Sequence, residues 1–238
     1  MNRTMKYAKI IEPNRLVVEE GPVPTPASGE VLIKVMASGI CGTDIHILRG
    51  SYMGLYPVVP GHEFAGLVES VGEGVSRFKP GDRVAVEPNV SCNNCVNCLN
   101  NRQNFCLNWQ AVGVTRPGAM AQYVTAPENA VFDIGDVPFE AGAFVEPLSC
   151  VLHGLEKARI AMGAKVAVIG AGPIGMLLLK TILLQCAAHL TVVDRVASRA
   201  AFARQCGADL CLTDVNHLQV DAYDAVVDAC GALEILPR

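Results

Sequence analysis

A glycine-rich turn in the second half of the chain constrains the fold more than any other feature. The apolar run KVAVI (165–169) is typical of a buried strand, and it leads directly into GAGPIG and a long apolar segment with helical spacing. Three glycines in this turn would let the backbone bend tightly and approach a pyrophosphate, which the following helix N-terminus would stabilise. The residues expected to contact a dinucleotide are Gly170, Gly172, Pro173, Ile174 and Gly175. The pattern predicts a Rossmann-type binding unit.

An acidic residue, Asp194, ends the next predicted strand, LTVV, nineteen residues after Gly175. A carboxylate there hydrogen-bonds a ribose 2′-hydroxyl and repels a 2′-phosphate, so NAD is favoured over NADP. Arg195 and Arg199 lie close by and would favour NADP, but the acid at the strand end outweighs them, and Arg199 is expected to contact the cofactor. The alternative interpretation, a glycine-rich turn between packed elements, leaves this acid and its spacing unexplained.

The chain changes character near residue 150. Before it, short and often alternating apolar segments such as VLIKVM and FAGLVESV are separated by Pro/Gly turns, which predicts a β-rich domain over residues 1–150. After it, buried apolar runs alternate with helical patterns, which predicts a parallel sheet with covering helices over residues 151–238. The fold class is therefore α/β with two domains.

Four cysteines stand close together in the loop 91–106, at positions 92, 95, 98 and 106. Core packing does not explain the spacing C-x2-C-x2-C-x7-C, and the asparagine-rich spacers suit an exposed loop. An iron–sulfur cluster and free thiols are alternatives, but the fourth cysteine comes too late for the ferredoxin pattern and no proline follows it. Four thiolates on tetrahedral zinc fit better, with no position left open, which is typical of a structural site. The predicted ligands are Cys92, Cys95, Cys98 and Cys106.

A sparser set of candidate ligands is spread over three other segments. CGTDIH (41–46) offers a thiol, a hydroxyl, a carboxylate and an imidazole, GHEFAG (61–66) offers an imidazole and a carboxylate, and VEP (145–147) offers Glu146. One thiolate, one imidazole and one or two carboxylates could bind a zinc ion and still leave a position for substrate. Taken singly, each of these residue types more often has a structural role. Their occurrence together with the cysteine loop and the glycine turn favours a metal site.

Composition indicates which kinds of binding partner and which cellular compartment to expect. Nineteen basic and twenty-three acidic residues give a formal net charge of −4, with no basic stripe, so neither nucleic acid nor an anionic membrane is expected as a partner. The most apolar region, 165–193, is interrupted by glycines and polar residues and is not expected to span a membrane. Ten cysteines without an export signal favour a reducing compartment, and a cytoplasmic protein is expected.

Together these motifs resemble the zinc-dependent medium-chain dehydrogenase/reductase family, in its alcohol and polyol, sorbitol-dehydrogenase-like branch. GHEFAGLVESVGEGV (61–75) follows the family signature G-H-E-x2-G-x5-G-x2-V without a gap, and CGTD, GDRVAVEP, the four-cysteine loop, EPLSC and GAGPIG occur in family order. The resemblance implies a GroES-like catalytic domain followed by a Rossmann domain. It also implies zinc-dependent transfer of a hydride from a polyol or another secondary alcohol to NAD, with two zinc ions per chain and a homo-oligomeric parent protein.

The resemblance also implies a role for each candidate residue. Cys41, His62 and Glu63 would bind the catalytic zinc, and Glu146 would bind it directly or through water. Asp44 would orient the imidazole of His62. Thr43 would contact the substrate hydroxyl, and His46 would take part in a proton relay.

A complete doubly wound dinucleotide domain has six strands, and the sequence offers four. We therefore expect the chain to be truncated at its C-terminus relative to the family, with only part of the Rossmann domain present. A catalytically silent zinc-binding fragment of such an enzyme is one alternative function, and a threonine or simple alcohol dehydrogenase is another. The remaining cysteines, at positions 150, 186, 206, 211 and 230, are expected to be core thiols.

Overall fold

A computed structural model describes residues 3–185 and 189–232 of the chain. The chain divides into two compact units, Met1–Glu146 and Pro147–Arg238, whereas the sequence analysis places the domain boundary after residue 150. Each unit has its own sheet and its own hydrophobic core, and each is described below by itself.

An antiparallel sheet of five strands forms the centre of the first unit, in the order β8-β3-β4-β5-β9. Two two-stranded sheets, β1-β2 and β6-β7, accompany it. The strands are β1 (Thr4–Glu12), β2 (Arg15–Pro22), β3 (Glu30–Ser38), β4 (Phe64–Val71), β5 (Arg83–Val86), β6 (Asn89–Val90), β7 (Gln110–Ala111), β8 (Tyr123–Pro127) and β9 (Val131–Asp133). The helices are α1 (Gly42–Arg49), α2 (Val96–Leu99) and α3 (Phe139–Ala143), with 3-10 turns at Gln103–Phe105 and Glu128–Ala130.

Apolar residues on one face of this sheet form its core. Val31 and Ile33 of β3 alternate with residues that point away, and they pack with Phe64 and Val68 of β4. A second cluster lies under α1 and includes Ile10, Ile47 and Val58. The predicted strand segments VLIKVM and FAGLVESV therefore correspond to β3 and β4, and α1 lies between these strands in the sequence.

The second unit contains a parallel sheet of four strands in the order β12-β11-β10-β13. The elements are α4 (Val145–Ala158), which begins at the end of the first unit, β10 (Lys165–Ile169), α5 (Pro173–Leu184), β11 (His189–Val193), α6 (Ala197–Gln205), β12 (Leu210–Leu212), the 3-10 turn Val215–His217 and β13 (Ala225–Asp228). The four strands agree with the four found in the sequence. A GroES-like β-rich domain followed by a partial Rossmann sheet is thus the observed fold.

Burial on both sides explains why β10 and β11 are almost continuously apolar. Val166 and Val168 of β10 and Leu190 and Val192 of β11 are fully buried against Leu179 and its neighbours on α5. Helix α4 contributes Val151 and Leu155, which are four residues apart and share one face. In the described part of the chain, no helix is long and apolar enough to cross a membrane.

The expectation that the remaining cysteines are core thiols is wrong for two of them. Cys150 is exposed because α4 turns the neighbouring Val151 towards the core, and Cys230 is exposed beyond the end of β13. Cys206 and Cys211 are half-buried and pack against the core of the second unit. Cys186 lies outside the described residues.

The packing of α5 on the sheet leads to a first prediction. Leu179→Ala removes a fully buried side chain from the core and is expected to lower the free energy of unfolding by about 2–5 kcal/mol. Leu184→Ala, on the same helix but 84% exposed, is expected to change it by no more than about 0.5 kcal/mol. Urea denaturation followed by circular dichroism measures both, and equal losses for the two variants would contradict the assignment of the core.

Candidate metal and nucleotide sites

Helix α1 presents Cys41 at its N-terminus. Cys41 is the extended residue that precedes the helix, and its backbone N–H donates to Asp44 Oδ2 at 2.8 Å. This contact satisfies one of the N–H groups that a helix start leaves without a partner. It also fixes the backbone from which the Cys41 thiol projects.

The same carboxylate holds a second segment. Asp44 Oδ1 accepts a hydrogen bond from the backbone N–H of Gly61 at 3.1 Å and lies 3.5 Å from Nδ1 of His62. Asp44 is only 4% exposed, and His62 is buried. Nδ1 makes no hydrogen bond in the described residues, but the Asp44 carboxylate 3.5 Å away favours a proton on this nitrogen, so Nε2 is the nitrogen that would give up its proton to a metal ion. Asp44 therefore lies beside His62, and the sequence-based expectation that it orients the imidazole stays a prediction.

Three glycines let the backbone around His62 pack more closely than any other residue type would. Gly61 has φ +98°, and a Cβ atom there would lie 2.7 Å from the backbone nitrogen of Met120. A Cβ on Gly113 or Gly118 would lie 2.4 or 2.3 Å from the carbonyl oxygen of Gly61. Gly113 and Gly118 were not predicted to have a role, and the local signal for them is the pair of glycines in VGVTRPGA.

Glu63 lies against the backbone of the segment that leads to Cys41. The N–H of Gly39 donates to the carbonyl oxygen of Glu63 at 2.7 Å, and a Cβ on Gly39 would lie 2.3 Å from Glu63 Oε2. A side chain at position 39 would therefore displace the Glu63 carboxylate.

The structure brings Cys41, His62 and Glu63 together. One ligand atom of each lies within 4.8 Å of the others, which gives a sulfur, a nitrogen and an oxygen donor around one point. Burial opposes protonation of His62, but the Asp44 carboxylate and the Cys41 sulfur outweigh it and raise the pKa of His62 to about 10. The site is therefore electrostatically suited to a cation, and the mixed donor set fits zinc with fewer than four protein ligands.

The other predicted residues of this site lie as follows. Thr43 is half-buried on α1, two residues after Cys41, and His46 is exposed one turn further on, with Nδ1 3.1 Å from Ser51 Oγ. Glu146, in the first turn of α4, is not among the residues whose ligand atoms gather within 4.8 Å. Trp109, which is not one of the predicted site residues, contacts the cluster under α1 and lines a cavity beside the cysteine loop.

The four cysteines of the loop lie together, and their Sγ atoms are all within 4.8 Å of one another. The Sγ atoms of Cys92 and Cys98 are 4.0 Å apart, and those of Cys95 and Cys98 are 3.5 Å apart. A tetrahedral site with Zn–S bonds of about 2.3 Å places its sulfurs about 3.8 Å apart. The observed spacing therefore fits zinc without rearrangement.

The surroundings of the cysteine loop change the pKa values of two of its thiols in opposite directions. Backbone hydrogen bonding from Asn94 and a side-chain contact with Asn108 lower the pKa of Cys92 to about 6. Burial and the neighbouring cysteines raise the pKa of Cys98 to about 12. Four thiolates at this spacing repel one another unless a positive ion lies between them, which is the condition that zinc would satisfy.

In the glycine turn of the second unit, two glycines are required by the fold and a third leaves open space for a ligand. Gly170 has φ +101°, and a Cβ on Gly175 would lie 1.8 Å from the Gly170 carbonyl oxygen, so both glycines are needed by the fold itself. A Cβ on Gly172 would meet nothing within 4 Å. Gly172 precedes α5, and Pro173 and Ile174 open that helix. The open space at Gly172 is where a pyrophosphate could approach the helix N-terminus.

Asp194 is fixed by two backbone contacts beside this turn. Its Oδ2 accepts from the N–H of Ala171 and its Oδ1 from the N–H of Val196, each at 2.8 Å. Each oxygen retains a lone pair for a ligand hydroxyl. Asp194 lines a cavity of about 420 Å³ together with Gly170, Gly172, Arg195, Arg199, Thr213, Asp214 and Cys230. Thr213, Asp214 and Cys230 were not predicted to line a nucleotide site; they lie just after the ends of β12 and β13.

Comparison with known families agrees with both units. Residues 27–136 match the alcohol dehydrogenase GroES-like domain family. Residues 155–237 match a family described as shikimate/quinate 5-dehydrogenase.

Curated relatives include polyol dehydrogenases. The chain is 38% identical over 234 residues to D-altritol 5-dehydrogenase of Agrobacterium fabrum, covering 95% of this chain and 70% of that protein. It is 37% identical over 213 residues to sorbitol dehydrogenase of Bacillus subtilis, covering 87% of this chain and 60% of that protein. The chain thus spans between 60% and 70% of the length of these two relatives.

Solved structures show the same fold. A protein described as a zinc-binding dehydrogenase from Sinorhizobium meliloti, with NADP bound, superposes with a TM-score of 0.92 at 34% identity, covering 98% of this chain and 72% of that one. An alcohol dehydrogenase from Escherichia coli, with NADH bound, gives a TM-score of 0.86 at 32% identity, covering 96% and 70%. On these grounds the chain belongs to the zinc-dependent medium-chain dehydrogenase/reductase family, in its alcohol and polyol dehydrogenase branch.

Proposed function

We propose that this chain carries out zinc-dependent oxidation of a polyol, with NAD as the hydride acceptor. The observation that carries the proposal is the convergence of Cys41, His62 and Glu63 within 4.8 Å, on a chain that also has a glycine turn suited to a dinucleotide. Relatives named for altritol, sorbitol and arabinitol favour a polyol over a simple alcohol or threonine. Ten cysteines favour a reducing compartment, and we propose the cytoplasm.

Cys41, His62 and Glu63 would hold the catalytic zinc, and Glu146 would reach it directly or through water. When bound, zinc polarises a hydroxyl oxygen and lowers its pKa, which makes hydride loss from the neighbouring carbon easier. Asp44 would keep the proton of His62 on Nδ1, so that Nε2 faces the ion. Cys92, Cys95, Cys98 and Cys106 would hold a second, structural zinc ion, because four thiolates leave no position for substrate.

The proton released from the substrate hydroxyl needs a path to solvent. Thr43 is half-buried beside Cys41 and its hydroxyl can both accept and donate, so we assign it the first step. His46 is exposed and three residues further along the same helix, which places it on the same side as Thr43. Its ring, held near Ser51 Oγ, would pass the proton to water.

NAD is the proposed cofactor because Asp194 presents a fixed carboxylate in the cavity of the second unit. A ribose 2′-hydroxyl can donate to it, whereas a 2′-phosphate would be repelled. Gly170, Gly172, Pro173, Ile174 and Gly175 would face the pyrophosphate at the start of α5. Arg199 would contact the ribose side from the first turn of α6.

The two proposed zinc sites give a prediction on metal content and turnover. The chain is expected to bind about two zinc ions, and Cys41→Ser about one, with turnover of sorbitol, altritol or arabinitol reduced at least about 100-fold. Cys206→Ala, half-buried in the second unit, is the control and should keep both properties. Elemental analysis and NADH absorbance measure them, and zinc and NAD binding without any turnover would identify the chain as the catalytically silent alternative.

The contacts of Asp44 give a second prediction. Asp44→Asn replaces one acceptor oxygen by an N–H donor that faces a backbone N–H, so the hold on Cys41 or Gly61 is lost. Affinity for the catalytic zinc is expected to fall about 10- to 100-fold, as measured by competition with a chelator. Asp82→Asn is a matched control, because Asp82 also accepts from a backbone N–H, that of Lys79, in an exposed turn. An unchanged affinity in Asp44→Asn would exclude the positioning role.

Cofactor preference gives a third prediction. Asp194→Asn removes the charge that disfavours a 2′-phosphate, so the ratio of the NADP to the NAD dissociation constant is expected to fall about tenfold. Asp209→Asn, which loses a carboxylate that accepts from the N–H of Leu190 in the same unit, should leave the ratio unchanged. Calorimetric titration with both nucleotides measures the ratio, and a wild-type preference for NADP would overturn the assignment.

A further inference from the structure

A second cavity, of about 500 Å³, lies in the first unit beside the four-cysteine loop. None of the residues that line it belongs to the Cys41, His62 and Glu63 cluster or to the four thiols. Its volume is in the range of small-molecule sites. The proposed dehydrogenase function gives it no role.

The lining of this cavity has a distinctive chemistry. It includes one carboxylate, Glu87, one indole, Trp109, and several side-chain amides, among them Asn89, Asn104 and Asn129. Amides both donate and accept hydrogen bonds, which suits a ligand rich in hydroxyl groups. No lysine, arginine or histidine of the described chain lines the cavity, so it offers no charge partner to a phosphate.

One side of the cavity is held in place by a chain of hydrogen bonds. Trp109 Nε1 donates to Asn89 Oδ1 at 3.1 Å, and Asn89 Nδ2 donates to Glu87 Oε1 at 2.9 Å. These contacts fix the indole and the carboxylate relative to each other before any ligand arrives. A fixed flat apolar ring beside a fixed acceptor is suited to a molecule with C–H and O–H groups on neighbouring atoms.

Other lining residues belong to the cysteine loop. Asn93 follows Cys92 directly, has φ +57°, and accepts from Ser91 Oγ at 2.8 Å, while Asn104 precedes Cys106 by two residues. The convergence of the cysteines therefore sets where these amides lie. Asn104 and Asn129 make no side-chain hydrogen bond within the described chain and are free to bind a ligand.

We propose that this cavity is a second small-molecule site, which binds a neutral polyhydroxylated ligand of the polyol or sugar class and not its phosphate ester. It would let the chain bind such a molecule independently of turnover.

Trp109 makes the proposal directly testable, because it is the single tryptophan of the chain and so its fluorescence reports on this cavity. Zinc-loaded protein and its Cys41→Ser variant are titrated with sorbitol and altritol, and with sorbitol 6-phosphate and adenosine as competing ligand classes. We expect a saturable change with the neutral polyols, equal in both proteins, and weaker or no binding of the other two. Calorimetry on the same titration registers binding that leaves the emission unchanged.

Substitutions of the lining residues test whether polyol binding occurs in this cavity or elsewhere on the chain. The double variant Asn104→Ala/Asn129→Ala is expected to weaken polyol binding about tenfold, and Glu87→Gln, which keeps an acceptor for Asn89, about two- to threefold. Asn94→Ala, on the same loop but outside the lining, should bind as the wild type does. The proposal is overturned by no saturable binding, by binding that Cys41→Ser abolishes, by tighter binding of the phosphate ester or adenosine, or by full affinity in the double variant.

Discussion

The Asp44 carboxylate is the interaction on which the candidate metal site depends. Its two oxygens accept from the N–H groups of Cys41 and Gly61, and it lies 3.5 Å from Nδ1 of His62. A carboxylate that is nearly fully buried is costly unless hydrogen bonds satisfy it, so these contacts also fix where Asp44 can lie. The start of α1 and the segment before β4 are thereby tied together, and each carries a potential zinc ligand.

Close backbone packing makes this arrangement possible. Gly61, Gly113 and Gly118 lie so close together that none has room for a Cβ atom. Gly39 likewise lacks a Cβ that would clash with the Glu63 carboxylate. Gly61 also takes a positive φ, so any substitution there would combine a steric clash with backbone strain. The side chains of Cys41 and His62 are short or have few rotatable bonds, so the distance between their ligand atoms depends on how closely the two main-chain segments approach. The glycines contribute geometry to the site without contributing a ligand.

Many features of this structure can be predicted from the sequence, for reasons that differ between the two units. The four strands of the parallel sheet are predictable because burial on both faces makes β10 and β11 continuous apolar runs. The cysteine loop is predictable because all its ligands fall within one short segment. The convergence of Cys41 with His62 depends on long-range packing, and only the resemblance to a family suggested it. The hydrogen bonds that fix Asp194, and the exposure of Cys150 and Cys230, depend on side-chain directions that no local pattern specifies.

The two candidate zinc sites differ in how far the positions of their ligand residues depend on the metal ion. The four thiols lie within one loop that has only short helical turns, and two pairs of sulfurs lie 3.5 and 4.0 Å apart, so their ionised forms would repel one another unless a cation lay between them. The Cys41, His62 and Glu63 cluster is held by Asp44 and by a well-packed sheet, and its geometry has support that does not involve the ion. Loss of zinc from the loop would therefore disturb local structure, including the wall of the adjacent polar cavity. Loss of zinc from the cluster would remove chemistry while leaving the surrounding fold in place, since a protonated His62 can balance the charge of the Asp44 carboxylate.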